Sequence, residues 1–202
     1  MNPSDLSILQ AIHQLRVEYL HPAANLLTHL GDKEVLVVAG ILALFGFLRW
    51  GQRKTAFLWV ACLVLAMVSA EGTKRLVNRE RPAPAFVEMI SGAHFPDSPA
   101  FPSGHATMAM AFYPMLALLW PGPFVKRHRR WFVALGLLLG IFVGMTRLYI
   151  GVHWPSDVLV GWLIGGFWAT IAWKLENYQG MVASPLPLSQ PLSTGLVEEK
   201  RS

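Results

Sequence analysis

The sequence is poor in charged residues. Only 14% of its 202 residues are Asp, Glu, Lys or Arg, whereas soluble domains contain about 25%. Hydrophobic residues make up 53% of the chain, and the mean hydropathy is +0.41. Such a chain has too little polar surface to cover a water-soluble globule of this length. This argues against a freely soluble enzyme and makes lipid the expected solvent for much of the exterior.

Cysteine is nearly absent as well. The single Cys62 excludes an intramolecular disulfide, and its place in an apolar run predicts a small buried side chain. The N-terminus has no basic stretch before an apolar core, so no cleavable signal peptide is predicted. The 17 Lys and Arg exceed the 12 Asp and Glu, but they form short clusters between apolar stretches. This pattern argues against a nucleic-acid partner and favours lipid headgroups or a phosphate-bearing substrate.

Five stretches lack charged residues and are apolar on every side, as expected for membrane helices. They cover residues 35–48, 55–70, 104–125, 131–146 and 158–173. Residues 4–30 mix apolar and charged positions, which predicts an amphipathic helix, broken near His21-Pro22, on the membrane or against the bundle. We therefore predict an all-α polytopic bundle of five to six transmembrane helices. Its predicted parts are an N-terminal amphipathic region (1–30), a transmembrane domain (31–176) and a disordered C-terminal tail (177–202).

Two cations stand at the end of the second stretch. Lys74 and Arg81 are seven residues apart, which is close to two helical turns and predicts one shared face. Pro82 is expected to end the helix. Taken alone, such a cluster is equally well explained by contact with lipid phosphates.

The third stretch opens with Pro102-Ser103-Gly104-His105. Ser103 is a good N-cap, and Gly104 lets a ligand approach the backbone, so the free N–H groups of the helix start favour an anion there. His105 lies in the first turn, where it could protonate a leaving oxygen. A structural hydrogen bond from His105 is the simpler explanation of this string alone.

The last group surrounds Asp157, which is the only acidic residue between Asp97 and Glu176. An ionised carboxylate in so apolar a region needs a partner. His153 precedes it by four residues, and we expect Asp157 to orient one ring nitrogen and leave the other free as a nucleophile. Arg147 supplies a guanidinium fork that matches phosphate. The alternative is a structural network that braces two helices.

In this order and spacing, K-x6-R-P, P-S-G-H and R-x5-H-x3-D resemble the phosphatidic acid phosphatase type 2 (PAP2) superfamily. The resemblance covers residues 65–173, and it departs from the family pattern at Thr146, where Ser is usual. It implies a metal-independent membrane lipid phosphatase with neither a metal site nor a cofactor. It also implies a role for each motif residue: phosphate binding by Lys74, Arg81, Ser103, Gly104 and Arg147, nucleophilic attack by His153 with formation of a phosphohistidine, orientation of that histidine by Asp157, and protonation of the leaving group, then activation of water, by His105.

The resemblance also bears on substrate and location. Without Lys74, Arg81 and Arg147, four basic residues remain on one side of the bundle against ten on the other, so the positive-inside rule turns the site outward. We expect a bacterial inner-membrane protein whose site faces the periplasm or exterior, with loop 83–100 at the entrance. The favoured substrate is undecaprenyl diphosphate, followed by phosphatidylglycerophosphate or phosphatidic acid. A lipid phosphotransferase and a noncatalytic lipid transporter or scaffold are the alternatives, and the sequence predicts no oligomeric state.

Overall fold

The structure, a computed structural model, describes residues 3–83 and 97–183, and these residues form helices without any strand. The elements in order are α1 (Pro3–Gln14), a 3-10 turn (Glu18–Leu20), α2 (His21–His29), α3 (Lys33–Arg49), α4 (Arg53–Val77), α5 (Gly104–Leu119), α6 (Pro123–Arg127), α7 (Arg129–Ile150) and α8 (Pro155–Ala183). In this part of the chain, three helices are long and apolar enough to cross a membrane: Arg53–Val77, Arg129–Ile150 and Pro155–Tyr178. Helix α5 is a shorter apolar helix. The all-helical prediction is confirmed, whereas the number of five to six crossings stays a prediction.

Four of the five charge-free stretches lie within one helix each, but two predicted ends are wrong. Stretch 104–125 is not one segment, because the Pro-Gly-Pro sequence at 121–123 ends α5 at Leu119 and starts α6. Helix α8 continues through residues 177–183, where the sequence predicts a tail, since the first proline comes only at Pro185. Residues 184–202 of that tail and residues 84–96 of the predicted entrance loop lie outside the described residues.

The N-terminal region packs against the bundle, which is one of its two predicted placements. Its break lies between Gln14 and His21 and ends immediately before His21-Pro22. Pro22 is tolerated in the first turn of α2, where its missing N–H has no helical partner. Helix α2 packs on α7, and α1 packs on α7 and α8. The Tyr149 hydroxyl donates to the Val17 carbonyl at 3.0 Å and ties α7 to this region.

Helix α5 lies at the centre and packs most extensively against α7 and α8. Glycines spaced four residues apart on each neighbour face it: Gly136, Gly140, Gly161 and Gly165. A Cβ added at Gly161 would lie 2.8 Å from the Ser103 backbone oxygen, so only glycine permits this approach of α8. The contact brings the first turn of α8 beside the N-terminus of α5.

An aromatic cluster fixes α3, α4 and α5 at their other end. The rings of Trp59 and Phe112 have centroids 5.4 Å apart, and Phe47 contacts both Trp59 and Trp120 at 5.7 and 5.4 Å. Trp59 and Phe47 are fully buried. Because this cluster anchors the far ends of these helices, their near ends can leave space between them for a site.

Candidate active site

The end of helix α4 carries the first cation. Lys74 lies in its last turn and is 8% exposed, with Nζ 3.6 Å from Glu71 Oε1. A Cβ at Gly104 would lie 3.7 Å from the same Nζ, so the ammonium group stands beside the N-terminus of α5. The helix ends at Val77, and Asn78 adopts the left-handed conformation with φ 44°. Lys74 and Arg81 therefore do not share a helix face, contrary to the prediction, because Arg81 follows the helix end.

Arg81 reaches the candidate nucleophile from the nonhelical segment after α4. Its Nη1 donates to the Val152 carbonyl at 2.7 Å and lies 3.2 Å from His153 Nε2. Its Nε and Nη2 donate to the backbone oxygen and hydroxyl of Ser98 at 2.8 and 3.1 Å. These contacts hold the guanidinium against one nitrogen of His153.

The start of helix α5 adds backbone donors. Ser103 is fully buried, and its hydroxyl accepts a bond from the Ala106 N–H, which confirms the predicted N-cap. The Ser103 N–H donates to the Asp157 carbonyl at 3.0 Å, so this turn is joined to the start of α8. Gly104 is the first residue of the helix and lies next to Lys74. This pairing of an ammonium group with a helix N-terminus suits an anion.

His153 and Asp157 are both buried, at 2% and 0% exposure. His153 Nδ1 lies 3.5 Å from Asp157 Oδ2 and has no closer partner among the described residues. The prediction that the two residues lie one turn apart on a helix is wrong, because α8 begins only at Pro155. The carboxylate does lie on the Nδ1 side, so Nε2 is the nitrogen that faces Arg81. Bonds of this kind are often long without a ligand and tighten when substrate binds.

Arg79 is a site residue that the sequence reasoning missed. It donates from Nη1 to Asp157 Oδ1 and from Nη2 to Asp5 Oδ2, both at 2.7 Å. Asp5 also accepts bonds from the backbone N–H and hydroxyl of Ser156 at 2.9 and 2.6 Å, and Asp157 Oδ2 accepts from the Trp154 N–H at 2.8 Å. Asp157 thus has Arg79 as its ion-pair partner, and helix α1 completes the network. Only the excess of charge around position 79 hinted at this, because Asp5 lies 74 residues away in sequence.

The last two predicted residues bind the N-terminal region. Arg147 is 9% exposed, and its Nη1 donates to the Thr28 hydroxyl at 2.8 Å. His105 Nε2 lies 2.9 Å from Asp32 Oδ1. The contacts of Thr28 and Asp32 with the site were not predicted. In the sequence, Asp32 is already explained as the N-cap residue of α3.

The electrostatic environment keeps His153 neutral. Burial lowers the pKa of His153 well below its usual 6.5, and the positive charges of Arg81 and Arg147 lower it further. Burial likewise lowers the pKa of Arg81. A neutral imidazole is the nucleophilic form, and here it is surrounded by cations that would attract a phosphate.

For Asp5, hydrogen bonds outweigh the effect of burial on the pKa. Burial alone raises the pKa of Asp5, but hydrogen bonds from Arg79 and Ser156 outweigh it and hold the pKa below its ordinary value. Asp5 is therefore ionised at neutral pH and serves as an anionic partner for Arg79.

A groove of about 710 Å³ leads from the surface to this site. It runs between α3 and α4 and reaches Gly104, His105 and Asp32 at one end. Its walls are largely apolar and include Val37, Ile41, Leu44, Leu63, Val64 and Met67. Val37 and Ile41 are about 60% exposed, so the groove opens onto the apolar exterior of the bundle.

The described residues contain no group of three His, Cys, Asp or Glu side chains that could hold a metal ion. What they do bring together is a set of cations, a helix N-terminus, a buried neutral histidine beside a carboxylate, and a second histidine. This set matches the needs of phosphoryl transfer, in which positioning and charge stabilisation supply most of the catalysis.

Comparison with known proteins agrees with this chemistry. The sequence matches the PAP2 superfamily over residues 54–181. It is 31% identical over 170 residues to phosphatidylglycerophosphatase B of Bacillus subtilis, covering 80% of this chain and 78% of that protein. It is 32% identical over 193 residues to lipid A 1-phosphatase of Rhizobium etli, covering 85% and 78%. Identity to undecaprenyl-diphosphatase of Sulfolobus acidocaldarius is 30% over 125 residues, covering 62% and 57%.

The fold is shared with a solved structure. The crystal structure of a transmembrane PAP2-type phosphatidylglycerolphosphate phosphatase from Bacillus subtilis superposes with a TM-score of 0.77 at 24% identity, covering 87% of this chain and 85% of that one. The family match spans all eight motif residues, from Lys74 to Asp157. With its long apolar helices, this chain is an integral membrane protein that belongs to the PAP2 superfamily, and its relatives are lipid phosphatases.

Proposed function

We propose that this chain removes the terminal phosphate from a lipid phosphate or diphosphate through a phosphohistidine intermediate, without a metal ion. One observation carries the proposal: a buried histidine, next to a carboxylate, has its Nε2 facing Arg81 and is surrounded by Lys74 and Arg147. A protein that merely binds lipid headgroups has no use for a nucleophile held in its neutral form among cations.

The reaction follows from the positions of these groups. Lys74, Arg81 and Arg147, with Ser103 and the Gly104 N–H, bind the nonbridging phosphate oxygens and stabilise their charge in the transition state. His153 Nε2 attacks phosphorus in line with the departing oxygen, and the Asp157 carboxylate stabilises the resulting imidazolium. His105 gives a proton to the departing oxygen. It then takes a proton from the water that cleaves the phosphorus–nitrogen bond.

The groove supports a lipid as the substrate. Its apolar walls suit an acyl or prenyl chain, and its inner end reaches Gly104 and His105, so a phosphate at the site would have its chain in the groove. We place undecaprenyl diphosphate first, followed by phosphatidylglycerophosphate, phosphatidic acid and lipid A phosphate. The names of the relatives support each of the first two and the last.

We further propose that α3 and α5 cross the membrane with the three longer helices, which makes five crossings, and that the N-terminal region raises the number to six only if it also crosses. The basic residues between α3 and α4, in α6 and at the start of α7 then lie on the cytoplasmic side of a bacterial inner membrane. The site lies at the opposite ends of these helices and faces the periplasm or exterior.

The decisive experiment measures phosphate release by the purified protein in detergent from the four lipids, each with EDTA present. We expect release to persist in EDTA and one lipid to be clearly preferred. His153→Ala should abolish release and the acid-labile phosphoprotein that rapid quenching traps. His128→Ala is the matched control, because His128 lies at the other end of α7, about 33 Å away along a helix of 22 residues. Normal turnover by His153→Ala would refute the mechanism, and product that forms only with an added alcohol acceptor would indicate a phosphotransferase.

A further inference from the structure

The carboxylate of Asp32 joins two histidines. Asp32 is the N-cap residue of α3, where an aspartate normally accepts a bond from the N–H groups of its own helix, yet its side chain makes no such bond. Its Oδ1 lies 2.9 Å from His105 Nε2, and its Oδ2 lies 2.6 Å from His29 Nδ1. Both oxygens are thus directed away from helix α3 and toward imidazole rings.

The protonation of these groups follows from their contacts. Burial alone raises the pKa of Asp32, but the hydrogen bonds from His29 and His105 outweigh it and hold the pKa below its ordinary value. An ionised carboxylate only accepts hydrogen bonds, so each histidine must donate from the nitrogen that faces it. His105 therefore carries its proton on Nε2, and its Nδ1 is the nitrogen left to exchange a proton with a ligand.

The turn that carries Asp32 is fixed against helix α5 at two further points. The Tyr113 hydroxyl donates to the Leu30 carbonyl at 2.7 Å, two turns along α5 from His105. A Cβ added at Gly31 would lie 2.9 Å from His105 Cδ2 and 3.2 Å from His105 Cβ, so the backbone of the turn lies directly against the imidazole. The position of the carboxylate relative to His105 is therefore determined by several contacts.

A nearby anion is needed at this place. Burial opposes a positive charge on the imidazole of His105, and so do the positive charges of Arg147 and Lys74, which bind phosphate in the proposed function. A general acid must carry that charge before it gives up its proton. Asp32 is the carboxylate that contacts His105 directly, and its negative charge acts in the opposite direction and favours the imidazolium form.

We infer that Asp32 is a positioning residue for the general acid: it holds the Nε2–H of His105, fixes Nδ1 as the nitrogen that protonates the leaving oxygen, and stabilises the imidazolium form. This inference rests on the proposed function of the site. In the first step, His153 Nε2 bonds to phosphorus while the phosphorus–oxygen bond breaks. The electron pair of the broken phosphorus–oxygen bond stays on the departing oxygen. That oxygen takes the proton from His105 Nδ1. The hydrogen bond from His105 Nε2–H to Asp32 is retained throughout. The other carboxylate oxygen of Asp32 contacts His29, whose side chain is 56% exposed.

The dependence of rate on the leaving group tests this inference. A short-chain phosphatidic acid must release an alkoxide, which needs a proton, whereas p-nitrophenyl phosphate releases a stable phenolate. We use kcat/KM, because it covers the steps up to departure of the leaving group. For Asp32→Asn we expect kcat/KM to fall about 100-fold or more with phosphatidic acid and less than about threefold with p-nitrophenyl phosphate. His105→Ala should show the same selectivity, and the double variant should lose little more than either single variant.

Matched variants separate positioning from folding. Glu34→Gln removes a negative charge two residues away and should retain activity with both substrates. Asp32→Glu keeps the carboxylate and should recover part of the phosphatidic acid activity. If Asp32→Asn does not fold, the same two substrates are compared with Asp32→Glu instead. Equal losses with both substrates, or fully multiplicative effects of Asp32→Asn and His105→Ala, would overturn the inference.

A measurement that needs no turnover distinguishes failure of the inference on Asp32 from failure of the proposed function. In wild-type protein labelled with ¹⁵N-histidine, we expect the His105 spectrum to show the Nε2–H tautomer, and Asp32→Asn should change it. If the wild type hydrolyses neither substrate, the proposed function fails, and the spectrum still reports whether Asp32 fixes His105. A His105 spectrum that is the same in the wild type and in Asp32→Asn would refute the positioning role.

Discussion

Replacing Arg79 by methionine should destabilise the protein strongly, although Arg79 belongs to none of the three motifs. Its side chain is 21% exposed and bridges two buried carboxylates, Asp157 and Asp5, at 2.7 Å each. Methionine has a similar volume but no charge, so both carboxylates would face each other without a cation. Removing one partner from a buried ion pair costs about 3–5 kcal/mol. We take about 3 kcal/mol as the expected loss, because part of the guanidinium contacts solvent.

Thermal unfolding in detergent, followed by tryptophan fluorescence, measures this loss. For a chain of this length about 3 kcal/mol corresponds to a fall in Tm of about 6–12 °C. Arg75→Met is the matched control, because Arg75 is an exposed arginine on the last turn of α4, four residues before Arg79, and the Tm of this variant should change by less than about 2 °C. Adding Asp5→Asn to Arg79→Met should restore part of the stability by removing one unpaired charge. If Arg79→Met and Arg75→Met unfold at the same temperature, or if Asp5→Asn adds a further loss, the bridging role is wrong.

Three further predictions concern the turn, the nucleophile and the groove. Gly31→Ala should lower kcat at least about tenfold with little change in KM, since its Cβ would lie 2.6 Å from Val143 Cγ1 and 2.9 Å from His105 Cδ2 and shift these side chains. An unchanged kcat would contradict this contact. His153 should contribute a loss of stability of about 1.4 kcal/mol per pH unit as the pH falls below 6.5, because unfolded His153 takes up a proton that the folded form does not accept until its lower pKa is reached. Tm measurements from pH 7.5 to 5 should show that His153→Asn lacks this contribution. Gly40→Leu should raise KM for a long-chain lipid phosphate at least about fivefold without affecting p-nitrophenyl phosphate, and Gly72→Leu, on an open surface of α4, should affect neither.

The positions of the helices and the motif residues could be predicted because they depend on local patterns. Runs without charge identify helices in any apolar surrounding, and Ser103 caps α5 through a bond to Ala106, three residues on. The predictions failed where a local rule had a local competitor. Seven residues separate Lys74 from Arg81, which suggests one helix face, but Asn78 ends the helix between them. In the same way, Pro155 starts α8 after His153, and the spacing of four no longer describes a helical turn.

The contacts that orient the motif residues could not be predicted in this way. Arg79 and Asp5 are 74 residues apart, Arg147 and Thr28 are 119 apart, and His105 and Asp32 are 73 apart. Each partner also has a simple local explanation in the sequence. Asp32 fits an N-cap and Asp5 fits the first turn of a helix, where acidic residues are favoured. Only the packing of the helices decides which of these groups is used for a distant contact.

All three partners come from residues 3–32, before the start of the family match at residue 54. Buried cations and imidazoles need polar partners, and the apolar helices that surround this site contain few. An amphipathic segment can supply these partners, because its apolar side chains pack on the bundle while its polar side chains reach into the site. Leu9 is fully buried in a cluster with Trp154, while Asp5, one turn earlier on the same helix, binds Arg79 and Ser156. The polar positions of the N-terminal region are thus accounted for by their place against the catalytic groups.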